Sequence, residues 1–234
     1  MKLLYRVISC FLIIPLLSLT SGCASYKFGR LPSPYIVDQP NAITQKDVSV
    51  AVKFMSSSEA LAIFDCEMNK RNISPVFIVI ENKSSNSYGF RKADIDSSYI
   101  SGEESAKKCA RSTMGRVVTY GALGLIVILW VVFIPMAIGE MINCPRINAQ
   151  MRTDYTSNEI ADATIGSGRS LSGVMYVAPF KSGTAFTIPL INRETSERLL
   201  FQFQYNQLAP ANIQTTQINE VKKEKREPKQ NFGP

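Results

Sequence analysis

The segment Asn72–Asn82, NISPVFIVIEN, carries the strongest strand signal in the chain, because its residues 76–80 are all β-branched or aromatic. Further upstream, residues 48–54 alternate between apolar and small or polar side chains, which predicts a strand with one buried face. Between them, Ser56 and Glu59 have the spacing of a capping box, and the apolar residues that follow, up to Met68, favour a short helix that stops at 72–75. The folded part of the chain therefore begins with a strand, a short helix and a buried strand.

Shorter strand signals follow on both sides of a long apolar segment. They are bounded by Gly, Pro, Asn or Ser and lie at 88–91, 98–100, 171–177, 184–191 and 199–205. Six or seven short strands without helical crossovers predict a mainly-β fold, an antiparallel sandwich. We expect one β-sandwich domain over residues 47–206, interrupted by a hydrophobic insert at 112–160.

The composition excludes several kinds of catalytic site. The chain has 234 residues, 45% of them hydrophobic and 19% charged, and it has no histidine. Without histidine, Ser-His-Asp and Cys-His nucleophile systems and nearly all catalytic zinc sites are ruled out. No phosphate-binding loop, dinucleotide-binding glycine motif, paired CxxC or nucleophile elbow occurs in the sequence. We therefore expect a protein that is not an enzyme and has no cofactor or metal, and the diffuse net charge of +7 does not indicate nucleic-acid binding.

The N-terminal residues follow the order of a secretory signal, from basic to apolar to small side chains. Residues 1–22 place two cations before or within an apolar run, and small residues follow. The sequence Leu19–Ala24, LTSGCA, resembles the lipobox of bacterial lipoproteins, with Thr20 at a position where that family prefers Leu. The resemblance implies that residues 1–22 are removed as a signal peptide and that Cys23 is lipidated. In Gram-negative lipoproteins, an alanine after the cysteine implies an anchor in the outer membrane that faces the periplasm; the inner membrane is the alternative.

Two segments are predicted to lie outside the folded domain. Residues 23–46 contain three prolines and no clear period, which predicts the lipid anchor followed by an extended tether. Residues 207–234 combine mixed charges with low hydrophobicity, which predicts a disordered charged tail.

The segment Val117–Gly139 is long and apolar enough to enter a lipid bilayer, since its 23 residues carry no charge. A single span is disfavoured, because strand signals lie on both sides of the segment and Pro135 interrupts it. Basic residues also precede it, against the positive-inside tendency: Lys107, Lys108, Arg111 and Arg116. We predict a helical hairpin or a re-entrant wedge; a buried or oligomer-interface helix pair and an inner-membrane span are the alternatives. The residues expected to enter the membrane are Val117, Leu123, Ile126, Leu129, Trp130, Phe133 and Pro135.

Two cysteines flank the apolar segment, Cys109 before it and Cys144 after it. An oxidising periplasm permits a disulfide, so we hypothesise that these two cysteines pair and close the base of the hairpin. Such a bond would contribute about 4 kcal/mol in the chain-entropy model. The alternative is that no cysteine of the folded domain is bridged.

A second resemblance is carried by Asn72–Asn82 together with Gly166–Val177. These stretches are similar to a group of uncharacterised Gram-negative lipoproteins. The resemblance implies an antiparallel immunoglobulin-like sandwich with a short helix and an inserted hydrophobic helix or helical hairpin. It implies no activity.

Together these features predict a non-enzymatic envelope lipoprotein with a structural or protein-interaction role at the membrane surface. Its partners would be membrane lipid, through the acylated N-terminus and the hydrophobic insert, and other envelope proteins or a second copy of itself. An accessory subunit of an envelope-spanning secretion or transport complex is one alternative. An envelope hydrolase is another.

Overall fold

The computed structural model describes residues 25–95, 99–112 and 130–205. Within these ranges the chain forms nine strands in two antiparallel sheets, together with three α-helices. The mainly-β fold of antiparallel sheets predicted from the sequence is confirmed. The predicted signal peptide at 1–22, the lipidation site Cys23 and the tail at 207–234 lie outside the described residues.

Most of the strands are short, and the helices are grouped in the first and middle parts of the chain. The strands are β1 (Ile43–Gln45), β2 (Val48–Phe54), β3 (Ser74–Asn82), β4 (Tyr88–Phe90), β5 (Tyr99–Ile100), β6 (Ala163–Ile165), β7 (Arg169–Val177), β8 (Ala185–Asn192) and β9 (Arg198–Gln204). The helices are α1 (Ser57–Phe64), α2 (Gly102–Cys109) and α3 (Trp130–Ser157). One sheet has the order β1-β2-β3-β7-β5 and the other has the order β6-β4-β8-β9.

Strand β3 is the centre of the five-stranded sheet. It pairs with β7 over its full length, from Ser74 opposite Val177 to Asn82 opposite Arg169, and with β2 on its other side. The β-branched run predicted as the strongest strand lies in the middle of this pairing. Because β3 precedes the apolar segment and β7 follows it, both halves of the chain contribute to one sheet.

Alternate residues of the two sheets fill a shared hydrophobic core. Val50 and Ile78 of the five-stranded sheet belong to one buried cluster with Phe186, Ile188 and Phe201 of the four-stranded sheet, and none of these five side chains is exposed. Full burial of such a side chain contributes about 1.5–3 kcal/mol relative to leaving it in water. This core is therefore a major source of the stability of the fold.

Helices cover the opposite face of the five-stranded sheet. Phe77 of β3 and Tyr176 of β7 point to this side and pack in a second buried cluster with Phe64 of α1 and Met151 of α3. The described residues thus form three layers: the four-stranded sheet, the five-stranded sheet and the helices. Sequence patterns did not predict the third layer.

The second half of α3 belongs to the folded body. Cys144, Ile147, Met151 and Tyr155 recur every three or four residues and are buried, so one face of the helix packs inward. The body therefore extends into the range 112–160 that the sequence assigned to the insert. This amphipathic pattern follows the apolar run within one continuous helix, α3.

Residues assigned to the tether also pack on the helical layer. Gly29 N donates a 2.7 Å hydrogen bond to Ile63 O, and a Cβ at Gly29 would lie 2.5 Å from a backbone oxygen of α1. The rings of Phe28 and Phe64 meet edge to face, with 5.6 Å between their centroids. An extended tether is therefore a wrong prediction for the described part of 23–46. Its apolar residues are spaced irregularly among prolines and leave no period to detect.

Helix α1 begins at the predicted capping box. Ser56 Oγ accepts a 3.2 Å hydrogen bond from Glu59 N, and the Glu59 carboxylate accepts a 3.0 Å bond from Ser56 N. The helix ends at Phe64, earlier than the apolar pattern indicated. Asp65 adopts the left-handed conformation, with φ of 52°, and Cys66 enters a disulfide.

Candidate functional site

The described chain ends at residue 112, just after α2, and resumes at Trp130, where α3 begins. Arg111 N donates a 2.9 Å hydrogen bond to Asn148 Oδ1, and Asn148 Nδ2 donates a 3.2 Å bond to Arg111 O. One side chain thus satisfies both backbone groups of a residue that has just left a helix. We call this pair the clasp. The chain between its two residues starts and ends at the same place on the body.

Helices α2 and α3 pack as an antiparallel pair beside the clasp. Glu103 in the first turn of α2 forms an ion pair with Arg152 near the end of α3. Gly102 N donates a 2.9 Å hydrogen bond to the Glu159 carboxylate just beyond α3. A Cβ at Gly102 would lie 2.8 Å from Tyr155 O, so a glycine here permits the close approach of the two helices.

Arg111 also connects the clasp to α1. Its Nη2 lies 2.8 Å from Asp65 Oδ2, and the two side chains are 19% and 38% exposed, respectively. Partial burial reduces the screening that weakens ion pairs at a protein surface. The ends of α1 and α2 and the clasp therefore form one polar cluster at the base of the apolar segment.

A disulfide joins Cys66 to Cys109, with 5.9 Å between their Cα atoms. The pairing of Cys109 with Cys144 hypothesised from the sequence is therefore wrong. Cys144 is buried on α3 and lies outside this bond. The bridge fastens the residue after the α1 cap to the last residue of α2. The positions of the cysteines relative to the apolar segment could not reveal this pairing, because the ends of α1 and α2 meet only through tertiary packing.

Buried tyrosines connect α3 to the sheet and to α1. Tyr155 Oη donates a 3.0 Å hydrogen bond to Phe64 O, and Tyr176 Oη donates a 3.3 Å bond to Tyr155 O. The two tyrosine rings stack with 5.7 Å between their centroids. Burial raises the pKa of both hydroxyls far above the ordinary range, so they act as neutral hydrogen-bond donors.

A second polar cluster is centred on Glu159. Lys92 Nζ lies 2.7 Å from Glu159 Oε1, and Tyr99 Oη donates to the same oxygen. Burial alone would lower the pKa of Lys92, but its hydrogen bonds and electrostatic attraction to Glu159 and Tyr99 together outweigh burial and hold that pKa above its ordinary value. The ammonium of Lys92 also lies 4.9 Å from the centre of the Tyr99 ring. These contacts fix the chain at the start of α2.

A surface groove of about 570 Å³ lies beside α1. Lys27 and Arg30, both exposed, line it together with Phe28, Leu61 and Asp65. Since Asp65 is the ion-pair partner of the clasp arginine, the groove adjoins the base of the apolar segment. We call it the basic groove.

The structure describes only part of the predicted membrane-inserting set. Trp130, Phe133 and Pro135 lie in the first turns of α3, and the helix continues through the proline. No helix among the described residues is long and apolar enough to cross a bilayer. In the same ranges, no group of three or more Cys, Asp or Glu side chains is arranged to hold a metal ion. The remaining predicted residues, Val117, Leu123, Ile126 and Leu129, lie outside the described ranges.

Several residues of this site had no sequence signal. Asn148 lies in an amphipathic helix, where a lone asparagine is unremarkable. Asp65 lies where the apolar pattern indicated that α1 continues, and Lys27 and Arg30 fall in the predicted tether. Only the basic residues that precede the apolar segment, Arg111 among them, stood out in the sequence.

A scan of protein-family models and a search of curated protein sequences find no match to this chain. The functional proposal therefore rests on the fold and on the base of the apolar segment.

Proposed function

We propose that the protein is a non-enzymatic envelope lipoprotein with a structural or protein-interaction role at the membrane surface. A lipidated Cys23 would hold the chain at the outer membrane, facing the periplasm. The apolar segment would enter the same membrane and return on the same side, as a helical hairpin or re-entrant wedge. Membrane attachment by two elements is durable, whereas a single acyl chain binds reversibly.

The pairing of β3 with β7 is the observation that carries this proposal. The two strands lie on opposite sides of the apolar segment in sequence and form a nine-residue antiparallel ladder, from Ser74 opposite Val177 to Asn82 opposite Arg169. A segment that crossed a bilayer once would place the strands in different compartments, and the central pair of the sheet could not form. The ladder therefore supports an apolar segment that returns to the side from which it left.

The clasp supports the same proposal at the level of side chains. Arg111 and Asn148 hydrogen-bond directly, so the two ends of the chain segment that contains the apolar residues are fixed next to each other. The part of α3 that precedes the buried Cys144, from Trp130 to Asn143, is about 20 Å long at 1.5 Å per residue. The hydrocarbon core of a bilayer is about 30 Å thick, so this length allows deep insertion into one leaflet.

We also propose that the two sheets form an immunoglobulin-like module that presents strands and loops to other envelope proteins or to a second copy of the chain. The shared core between two antiparallel sheets supports this proposal. The outward face of β9 adds to it, because its alternate residues are exposed and include Leu200 at 48%.

Fluorescence of Trp130, the single tryptophan of the chain, tests membrane insertion. The acylated full chain is reconstituted into vesicles whose acyl chains carry bromine, which quenches nearby tryptophan. We expect strong quenching of Trp130. The matched control is Trp130→Phe combined with Leu200→Trp, which moves the tryptophan to an exposed site on the four-stranded sheet, where we expect no quenching. Equal emission of Trp130 in brominated and ordinary lipid would refute the insertion.

Labelling of introduced cysteines tests the topology. Lys107→Cys and Arg146→Cys place thiols at exposed positions on either side of the apolar segment. Lys83→Cys places a third exposed thiol just after the end of β3. With the outer membrane permeabilised and the inner membrane intact, an impermeant maleimide should label all three. The unmodified chain gives the background, since Cys144 is buried. Labelling at Arg146→Cys only after the inner membrane is broken would overturn the proposal.

A further inference from the structure

The basic groove lies between the two membrane attachments of the proposed function. Asp65 lines the groove and binds Arg111, the residue at which the chain departs for the apolar segment. Ser25 also lines the groove. Two residues of chain span at most about 7 Å, so an acyl group on Cys23 would be attached within that distance of Ser25. Both attachments therefore reach the body at this groove.

The charges of the groove favour an anion. Among the described residues Lys27 and Arg30 take part in no ion pair, whereas Asp65, the acid that lines the groove, is neutralised by Arg111. The groove therefore carries two uncompensated positive charges. An arginine guanidinium matches the geometry of phosphate oxygens, and lysine adds a point charge.

The apolar lining of the groove restricts the kind of anion. Leu61 is 45% exposed although it is a large aliphatic residue, and half-buried Phe28 lies next to it in the lining. A free inorganic anion makes no use of these two side chains. A phospholipid does, because its phosphate is joined to a glycerol backbone and to acyl chains.

We propose that the basic groove binds the head group of an anionic phospholipid. Lys27 and Arg30 contact the phosphate oxygens, and Leu61 and Phe28 lie against the glycerol backbone and the first methylene groups. The inference rests on the proposed function, since it requires the body to lie at a lipid surface. Its consequence is a preferred orientation, with α1 and the clasp towards the membrane and the four-stranded sheet away from it.

Hydrogen exchange of the acylated full chain on vesicles tests this binding. Vesicles of neutral phosphatidylcholine are compared with vesicles that also contain phosphatidylglycerol, and exchange is measured in peptides that cover 25–30 and 60–65. A ligand slows local opening by the factor 1 + [L]/Kd, about tenfold when the lipid is present at about ten times its Kd. We expect such slowing only with phosphatidylglycerol. Lys27→Gln combined with Arg30→Gln should abolish it.

The matched control removes two exposed cations elsewhere. Arg169→Gln combined with Arg198→Gln lowers the charge equally, at the first residues of β7 and β9, and should keep the slowing. Unchanged exchange in β3 shows that both double variants are folded. If the control loses the slowing as well, general surface charge explains it and the groove proposal fails.

The remaining outcomes separate this inference from the proposed function. Flotation of the chain with both kinds of vesicle, but with equal exchange in both, overturns the groove and leaves membrane attachment intact. Failure to float with either kind overturns the proposed function. Slowing produced by inorganic phosphate on neutral vesicles overturns a lipid head group as the occupant. Slowing that survives in Lys27→Gln/Arg30→Gln overturns the assignment of these two residues.

Discussion

Reduction of the Cys66–Cys109 disulfide should destabilise the protein by an amount that follows from the loop that it closes. The two cysteines are 43 residues apart in sequence. For a loop of that size the chain-entropy model gives a loss of about 4 kcal/mol at 25 °C. This is a large fraction of the roughly 5–15 kcal/mol by which folded domains are stable.

Urea unfolding of the purified full chain in mild detergent measures this loss. With a dependence of about 1–3 kcal/mol per molar urea, 4 kcal/mol corresponds to a midpoint lower by roughly 1–4 M. The same sample digested without reductant should yield one peptide pair that joins Cys66 to Cys109.

Two variants separate the cross-link from the packing of the sulfur atoms. Cys144→Ala keeps the bridge, so reductant should lower its unfolding midpoint as it does in the unmodified chain. Cys66→Ala combined with Cys109→Ala has no bridge, so reductant should leave its midpoint unchanged. A peptide that joins Cys109 to Cys144, or a Cys144→Ala variant that does not respond to reductant, would refute the reasoning.

Four further changes are checked by urea unfolding of the same preparation. Ser56→Ala removes the α1 cap and should cost about 1 kcal/mol, whereas Ser56→Thr should cost much less; equal costs would contradict the capping role. Ile78→Ala leaves a cavity between the sheets and should cost about 2–5 kcal/mol, and a loss below about 1 kcal/mol would contradict its burial. Asn148→Ala removes both hydrogen bonds of the clasp and should cost about 1–3 kcal/mol, with faster hydrogen exchange after α2; unchanged exchange there would contradict the clasp. Because burial raises the pKa of Tyr155 and Tyr176, only the unfolded chain loses these protons just above pH 10, so stability should fall as the pH rises from about 10, by up to about 1.4 kcal/mol per pH unit for each tyrosine. Tyr155→Phe should make that fall less steep, and an unchanged slope would contradict burial as its cause.

The elements that the sequence predicted best have signals within a few residues of themselves. The alternation at β2 and the β-branched run in β3 mark their strands, and Ser56 with Glu59 marks the start of α1. These signals depend on side-chain period and on a fixed spacing, so they do not require knowledge of what packs against them. The antiparallel arrangement also followed, from short strands without crossovers.

The candidate site was largely beyond sequence reasoning, because its contacts join residues that are distant in the chain. Arg111 meets Asp65 and Asn148 only after α2 and α3 have packed on the five-stranded sheet. The cysteine pairing failed for the same reason. The approach of Gly29 to α1 depends on a glycine in a proline-containing segment, where a turn or a linker is the ordinary expectation.

The ladder between β3 and β7 also sets the order in which the chain can fold. When β3 leaves the ribosome, roughly 100 more residues must be made before its partner β7 is complete. Those residues include the most hydrophobic segment of the chain, 117–139. Pairing at such long sequence separation is slow, and an unpaired hydrophobic strand is prone to aggregation while it waits. We therefore expect a nascent chain of this design to need a chaperone that covers β3 until β7 has been made.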